Sequence, residues 1–225
     1  MTPSIEQVER QLERGAFSLA ELLSLRRALR APFRQHPLGF LACRLLTEGP
    51  RNLRLHFWPL SGGAQQHPHC QIHDHLFEFK SWVLAGTLEN VEYGLSSKGQ
   101  EFAIYRAEYA GHRSSLVKTG GVQRLSELSR YTLEAGTSYS VQAGVLHETI
   151  RVGTAPAFTV LATNDVSAEA PLVLCPLDGP ERYTYERHVV EESVVETLLA
   201  EAYPSLHRKC YSGLRPLPHS GELKR

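Results

Sequence analysis

Three histidines of this 225-residue chain are of a type and spacing that suit a shared metal ion. His73 and His75 are separated by one residue, in a stretch with the composition of a β-strand. Side chains at positions i and i+2 of a strand point to the same face, so both imidazoles are expected on one side. His147, much later in the chain, would complete a three-imidazole site. Three protein ligands leave open positions, as catalytic metal sites require.

Histidines without a metal are the alternative explanation. Four of the eleven lie close together, namely His67, His69, His73 and His75. A solvated histidine-rich loop would account for that clustering. Pro68 favours a loop, which would place His67 and His69 at the mouth of a cavity. Asp74 has the opposite strand parity, so we expect it to orient a neighbouring strand or a ligand rather than to bind metal.

The charge balance excludes two classes of partner. Lysine and arginine total 24, aspartate and glutamate total 24, and the formal net charge is zero. Such a chain exerts no long-range attraction on nucleic acid or on an anionic membrane, so neither partner is expected. The N-terminal segment lacks the apolar stretch of a secretory signal, and no apolar run reaches membrane-spanning length. These features predict a cytoplasmic protein.

The cysteines are scattered along the chain and form no Cys-x-x-Cys pair: Cys43, Cys70, Cys175 and Cys210. Without an export signal, reduced thiols are expected rather than a disulfide framework, and zinc held by cysteines is not expected. Cys70 is expected to be a small buried hydrophobic residue.

Helical segments are predicted at both ends. Residues Ser4–Arg30 carry apolar side chains at helical spacing, and Ser18 followed by Glu21 forms a capping box. Val189–Ala202 is a second amphipathic segment. The tail from Leu214 contains prolines and charges, so poor order is expected there.

Between these ends the pattern changes to short β-like segments separated by turns. The segments are Phe40–Leu46, Leu53–Trp58, Cys70–Phe79, Ser81–Leu84, Thr87–Gly94, Ala103–Glu108, Ser115–Thr119, Gln123–Leu125, Tyr131–Leu133, Ser138–Gln142, His147–Val152 and Ala157–Ala162. Many short strands without intervening helices favour a barrel or sandwich. We therefore expect a helical extension over 1–39, a β-barrel over 40–165, and a helical extension with a tail over 166–225.

Two stretches resemble the signature motifs of the cupin superfamily. The first is a His-x-His strand running to a turn glycine, and the second is Gly, five residues, Pro-x-Gly, two residues, His. The matching residues are His73, His75 and Gly86, then Gly136, Gly144 and His147, with Gln142 in the place of the proline. The resemblance implies an all-β, cupin-type double-stranded β-helix, that is, a jelly-roll barrel, with flanking N- and C-terminal helices.

Many cupins add a glutamate ligand four or five positions after the second histidine. Those positions hold Phe79 and Lys80 here. Glu78 points to the other face of the strand unless a bulge re-aims it. We therefore expect a three-histidine site without a carboxylate, which favours an anionic substrate bound directly to the metal.

A three-histidine iron site with His-Asp-His resembles the cysteine dioxygenase and thiol dioxygenase branch of the cupins. The segment Arg44-Leu-Leu-Thr-Glu-Gly and the strand ending in Phe57-Trp58 follow that family's order. In that family, an arginine before the Glu-Gly turn clamps the substrate carboxylate. The resemblance gives this role to Arg44, whose planar guanidinium matches a carboxylate. A plain surface arginine is the alternative.

Two features of that branch are absent. Lys80 stands where its eukaryotic members have a cysteine that is cross-linked to tyrosine, and the Ser-His-Tyr relay has no counterpart in 160–165. A substrate other than plain cysteine is therefore expected. Thr163, Asn164 or Tyr139 are candidates to replace the relay, and Tyr139 otherwise fills barrel space.

The sequence thus predicts a mononuclear Fe(II) oxygenase that uses dioxygen on a small carboxylate-bearing metabolite, such as a thiol or amino-acid derivative. Its metal ligands would be His73, His75 and His147, with Arg44 and Tyr139 as catalytic residues. Two alternatives stay open, namely a metal-dependent isomerase or lyase and a non-enzymatic ligand-binding cupin. The resemblance also implies a homodimer.

Overall fold

Two six-stranded antiparallel sheets form the body of the protein in the computed structural model, which describes residues 2–60 and 70–204. The elements in chain order are α1 (Ile5–Glu13), α2 (Leu19–Ala28), β1 (Arg34–Gln35), β2 (Leu41–Glu48), β3 (Arg51–Trp58), β4 (Ile72–His73), β5 (Phe77–Ala85), β6 (Thr87–Ala110), β7 (Arg113–Glu134), β8 (Ser138–Val141), β9 (His147–Val152), β10 (Ala157–Asp165), β11 (Leu172–Cys175), β12 (Arg182–Glu186) and α3 (Glu192–Ala202). The expectations for His67, His69 and the tail from Leu214 fall outside the described residues.

The strand order is that of a jelly roll. The first sheet runs β1-β2-β3-β10-β5-β8 and the second runs β11-β4-β9-β6-β7-β12. The eight strands from β3 to β10 therefore pass between the sheets as two Greek keys, with β3, β10, β5 and β8 facing β4, β9, β6 and β7. The predicted all-β, cupin-like jelly roll with flanking helices is confirmed.

Alternation along β3 separates two environments. Leu53, Leu55 and Phe57 are buried in a core that they share with all three helices. Residues of opposite parity face the interior between the sheets, where Trp58 packs with Val83 and other residues of both sheets. The helices thus cover the outer face of the first sheet and leave its inner face for the interior.

The flanks differ in three respects from the sequence prediction. Strand β1 (Arg34–Gln35) lies within the extension 1–39 that was expected to be helical, and it pairs with β2. Ser4–Arg30 is not one helical region, because a turn at Gly15 (φ 63°) divides it into α1 and α2. The capping box predicted at Ser18 is present and closes the start of α2. Strands β11 and β12 lie beyond Asp165, where only helix and tail were expected, and both pair within the second sheet. Short strands among prolines give little sequence signal.

Strands β6 and β7 form one long hairpin where the sequence indicated several short strands. The sequence suggests a turn between two of these short strands at Lys98-Gly99, but the structure has a register shift inside β6 there, between Leu95 and Gln100. A glycine marks bulges as well as turns, and the sequence does not distinguish the two.

The expectation of reduced thiols is wrong for one pair of cysteines. Cys70 and Cys175 form a disulfide across 105 residues of sequence, next to the paired strands β4 and β11. Cys43 is buried as a free thiol, and Cys210 lies outside the described residues. A contact so distant in sequence leaves no trace in cysteine spacing.

The helices of the described ranges are all too short or too polar to cross a membrane.

Candidate metal centre

The three histidines selected from the sequence meet in space. His73 ends β4 and pairs in register with His147, which begins β9. The ring of His73 lies 4.7 Å from that of His75 and 4.8 Å from that of His147, measured between centroids. One ligand nitrogen from each residue lies within 4.8 Å of the other two. Nitrogens that share one ion at about 2.1 Å lie about 3.0–3.4 Å apart, so metal binding would draw these three closer together.

His75 reaches this cluster by a route that differs from the sequence prediction. Strand β4 ends at His73, so His75 lies outside a regular strand and strand parity does not orient it. Its carbonyl accepts a hydrogen bond from the Gly144 amide at 3.0 Å, and its ring stacks on Phe77 at 4.3 Å. Gly144 has φ 78°, a conformation that favours glycine. The two sequence motifs therefore touch each other directly.

Backbone carbonyls fix the proton position on two of the imidazoles. The Nδ1 of His73 lies 2.7 Å from the carbonyl oxygen of Gln71, and the Nδ1 of His147 lies 2.9 Å from that of Val145. A carbonyl oxygen only accepts, so each Nδ1 carries the proton and donates it. The lone pair on each Nε2 is then free for a metal, which is the usual arrangement of a metal-binding histidine.

Burial keeps the cluster neutral. Desolvation is the main cause that lowers the pKa of His73, of His75 and of His147, the last to about 3. Mutual repulsion with His73 adds to this effect on the other two. Neutral imidazole is the form that binds metal. His147 is only 2% exposed, whereas His73 and His75 are half-buried, so the cluster is open to solvent on one side.

No carboxylate joins the group within the described parts of the chain. Phe79 occupies one of the two positions at which the cupin resemblance led us to look for a glutamate, and its ring lies 5.7 Å from that of His75 and 5.8 Å from that of His147. Glu78 instead accepts a hydrogen bond from Asn164 at 3.1 Å. Three neutral nitrogen donors with an open side suit iron, zinc and other first-row divalent ions.

Asp74 connects the cluster to the neighbouring strand. Its Oδ1 accepts from the Leu172 amide at 2.6 Å, and its own amide donates to the Leu172 carbonyl at 3.1 Å. The expectation that Asp74 orients a strand is confirmed.

Arg44 lies at the inner face of the first sheet but reaches solvent. It stands opposite Arg54 in the pairing of β2 with β3, and directly opposed residues project from the same face. The side chain of Arg44 is exposed. Its role in gripping a carboxylate stays a prediction.

Arg54 is a residue that the sequence analysis missed. Its guanidinium lies 4.6 Å from the centre of the Phe77 ring, on which His75 also stacks. The alternation Leu53-Arg54-Leu55 was visible in the sequence, but only the structure shows that both leucines face the helices. A charged residue between them must then face the interior.

Tyr139 packs among aromatic rings beside the cluster. Its ring lies 5.8 Å from Phe79, which also contacts His147. Burial raises the pKa of Tyr139, and the neighbouring hydroxyls of Thr149 and Ser81 oppose that rise.

A chain of polar contacts continues from Thr149 across the interior. Thr149 donates to Asn90 at 2.8 Å, Asn90 donates to the Tyr131 hydroxyl at 2.8 Å, and Tyr131 donates to Glu92 at 3.0 Å. Glu92 is the register partner of His147, so this network begins and ends beside the cluster. A relay through Tyr139 stays a prediction.

No protein-family model matches the chain, and no curated protein matches it. One similar solved structure is hydroxypropylphosphonic acid epoxidase from S. wedmorenis, with 12% identity and a TM-score of 0.37 over 60% of this chain and 55% of that one. The match thus spans little more than half of that enzyme. Another is a protein from Shewanella oneidensis, with 9% identity and a TM-score of 0.31 over 82% of this chain and 93% of that one. The cupin-like assignment therefore depends on the strand order of this chain.

Proposed function

We propose that this chain is a mononuclear non-haem iron(II) oxygenase that uses dioxygen to oxidise a small carboxylate-bearing metabolite, with a thiol or amino-acid derivative as the expected class. The observation that supports it is the convergence of three neutral imidazoles, two of them with Nδ1 held by carbonyls, on a solvent-open side of a jelly-roll interior. Ferrous iron bound there would supply dioxygen activation and open positions for substrate.

The residues around the cluster divide the remaining work. His73 and His147 would offer Nε2 without a proton to lose, because Nδ1 carries it. Phe77 and Phe79 line the site with apolar rings and exclude water from one side of it. Arg44 would bind the substrate carboxylate, and Tyr139 would donate or accept a hydrogen bond at the bound substrate.

Metal content is the first test. Protein purified without added metal should contain up to one iron per chain by elemental analysis, and His147→Ala should lose it. His112→Ala is the matched control, because His112 is an exposed histidine that pairs with Glu186 away from the cluster. Equal metal content in wild type and His147→Ala would refute the site.

Oxygen consumption tests the reaction. After anaerobic loading with ferrous iron, thiols and amino acids that bear a carboxylate should stimulate oxygen uptake, and the same molecules as amides should not. If the purified protein contains zinc, nickel or manganese and its turnover is independent of oxygen, the protein is an isomerase or lyase and the oxygenase proposal is wrong. A protein without metal that binds a metabolite and converts nothing would be a binding module.

A further inference from the structure

We infer that Arg54, assisted by Arg44 opposite it on the neighbouring strand, forms the carboxylate-binding end of the substrate site. The resemblance to the thiol dioxygenases assigned that role to Arg44 alone. The inference rests on the proposed function, since it places the substrate carboxylate relative to the histidine cluster. It makes Arg54 the residue that selects anionic substrates.

The charged side chain of Arg54 lacks partners inside the protein. Its Nε is buried and has no hydrogen-bond partner among the residues that the structure describes. No carboxylate in residues 2–60 and 70–204 forms an ion pair with it, and its guanidinium lies over the face of the Phe77 ring. A buried donor without a hydrogen-bond partner is unfavourable in a folded protein, so the Nε of Arg54 carries an energetic cost.

The neighbouring charges increase that cost. Arg44 is the direct cross-strand partner of Arg54, and like charges in directly opposed positions destabilise a sheet. Burial and then the charge of Arg44 lower the pKa of Arg54 to about 10, so the guanidinium stays charged at neutral pH. Asp165 opposes this effect from the exposed end of β10. An anion between the two guanidinium groups would relieve both penalties.

The proposed anion site lies close to the histidine cluster. Phe77 contacts the Arg54 guanidinium at 4.6 Å and the His75 ring at 4.3 Å, so one side chain links the two. A small molecule whose carboxylate lies on Arg54 would therefore be bound close to the cluster, beside the Phe77 ring. A further nearby guanidinium, that of Arg187, is already engaged by Ser114 at 3.2 Å and by the Tyr109 ring at 5.2 Å. Of these three arginines, Arg54 and Arg44 have no salt bridge or hydrogen bond to a side chain within residues 2–60 and 70–204, and they are the two that we assign to the ligand.

The test uses metal-free protein, so that its outcome is independent of the metal. Succinate is titrated calorimetrically at constant ionic strength, and the neutral diamide succinamide is titrated in parallel. Wild type should bind succinate and not succinamide. Arg54→Met should weaken succinate binding by about tenfold or more, the range expected for a charge-assisted hydrogen bond. Arg54→Lys should fall between the two, because it keeps the charge and loses the planar fork.

Arg106→Met is the matched control, since Arg106 is an exposed arginine on β6, and it should bind succinate as wild type does. Thermal denaturation is a second measurement, and it distinguishes a ligand-binding arginine from one that only stabilises the fold. Arg54→Met should melt at or above the wild-type temperature, because it removes a charge that the fold does not satisfy. Unchanged succinate affinity in Arg54→Met, or no succinate binding by wild type, would overturn the inference. If the purified protein neither contains nor takes up iron in the metal test, yet wild type binds succinate and Arg54→Met does not, the oxygenase is rejected and the anion site is kept.

Discussion

At the scale of single residues, the three imidazoles are held by different means, and this predicts which neighbours matter. His73 and His147 donate to carbonyls two residues upstream, whereas His75 depends on the Gly144 amide. Gly144→Ala forces a side chain into φ 78°, which costs about 1–2 kcal/mol. We expect weaker metal binding as well as lower stability, measured by metal titration and thermal denaturation.

Gly136→Ala separates the two effects. Gly136 has φ 90°, and like Gly144 it has open space around an added Cβ, but its amide donates to Val83 rather than to His75. A similar loss of stability with wild-type metal affinity is expected there. Equal metal affinities in the two variants would show that the Gly144 contact does not position His75.

Residue types and spacing were sufficient to select the histidines. One motif contains His73 and His75 and the other contains His147, so the two motifs together identify all three ligands. They were insufficient for Arg54. Selecting it required the register of β3 against β2 and the knowledge that Leu53 and Leu55 face the helices. Arg44 lies within β2 (Leu41–Glu48), and its exposure depends on what covers that face of the strand, which the sequence does not specify.

At the scale of elements, strand β11 pairs with β4, the strand that ends at His73, and holds it in place. Asp74 bonds to Leu172 at one end of the pairing, and the Cys70–Cys175 disulfide closes the other. A disulfide that closes a loop of this length is worth about 5 kcal/mol in the chain-entropy model. Cys70→Ser combined with Cys175→Ser should therefore lower the free energy of unfolding by about that amount and weaken metal binding. Denaturant unfolding without reductant measures the change.

Cys43→Ala is the control for this variant, because Cys43 is a buried free thiol. It should keep the sensitivity of the melting temperature to reductant, and the double variant should lose it. A non-reduced digest that lacks a peptide linking Cys70 with Cys175 would contradict the pairing. The sequence missed both this bond and β11, because neither a long-range thiol contact nor a four-residue strand between prolines leaves a periodic pattern.

At the scale of the whole molecule, the jelly roll was predictable because many separate segments of the sequence indicate it. Repeated short strands and turn signals specify the class even where individual boundaries are wrong, as they are in β6 and β7. The polar content of the interior was not predictable. It depends on which face each strand turns inward, and a shift of register by one residue would reverse that.

That polar interior predicts acid sensitivity. His56 lies beside Phe40 at 4.4 Å between ring centroids, and burial, followed by the charge of Arg54, lowers its pKa from 6.5 to about 3. The unfolded chain takes up this proton near pH 6.5, whereas the folded protein takes it up only near pH 3. Stability is therefore complete above pH 6.5 and declines as pH falls towards 3, by about 1.4 kcal/mol per pH unit for one fully shifted histidine. His36, stacked on the same Phe40 ring at 4.1 Å with its pKa lowered by burial, adds to the slope. Denaturant unfolding of metal-free protein at pH 7 and 5.5 should show this decline, and His56→Gln should reduce it. An unchanged slope in His56→Gln would mean that this histidine is not neutral inside the fold.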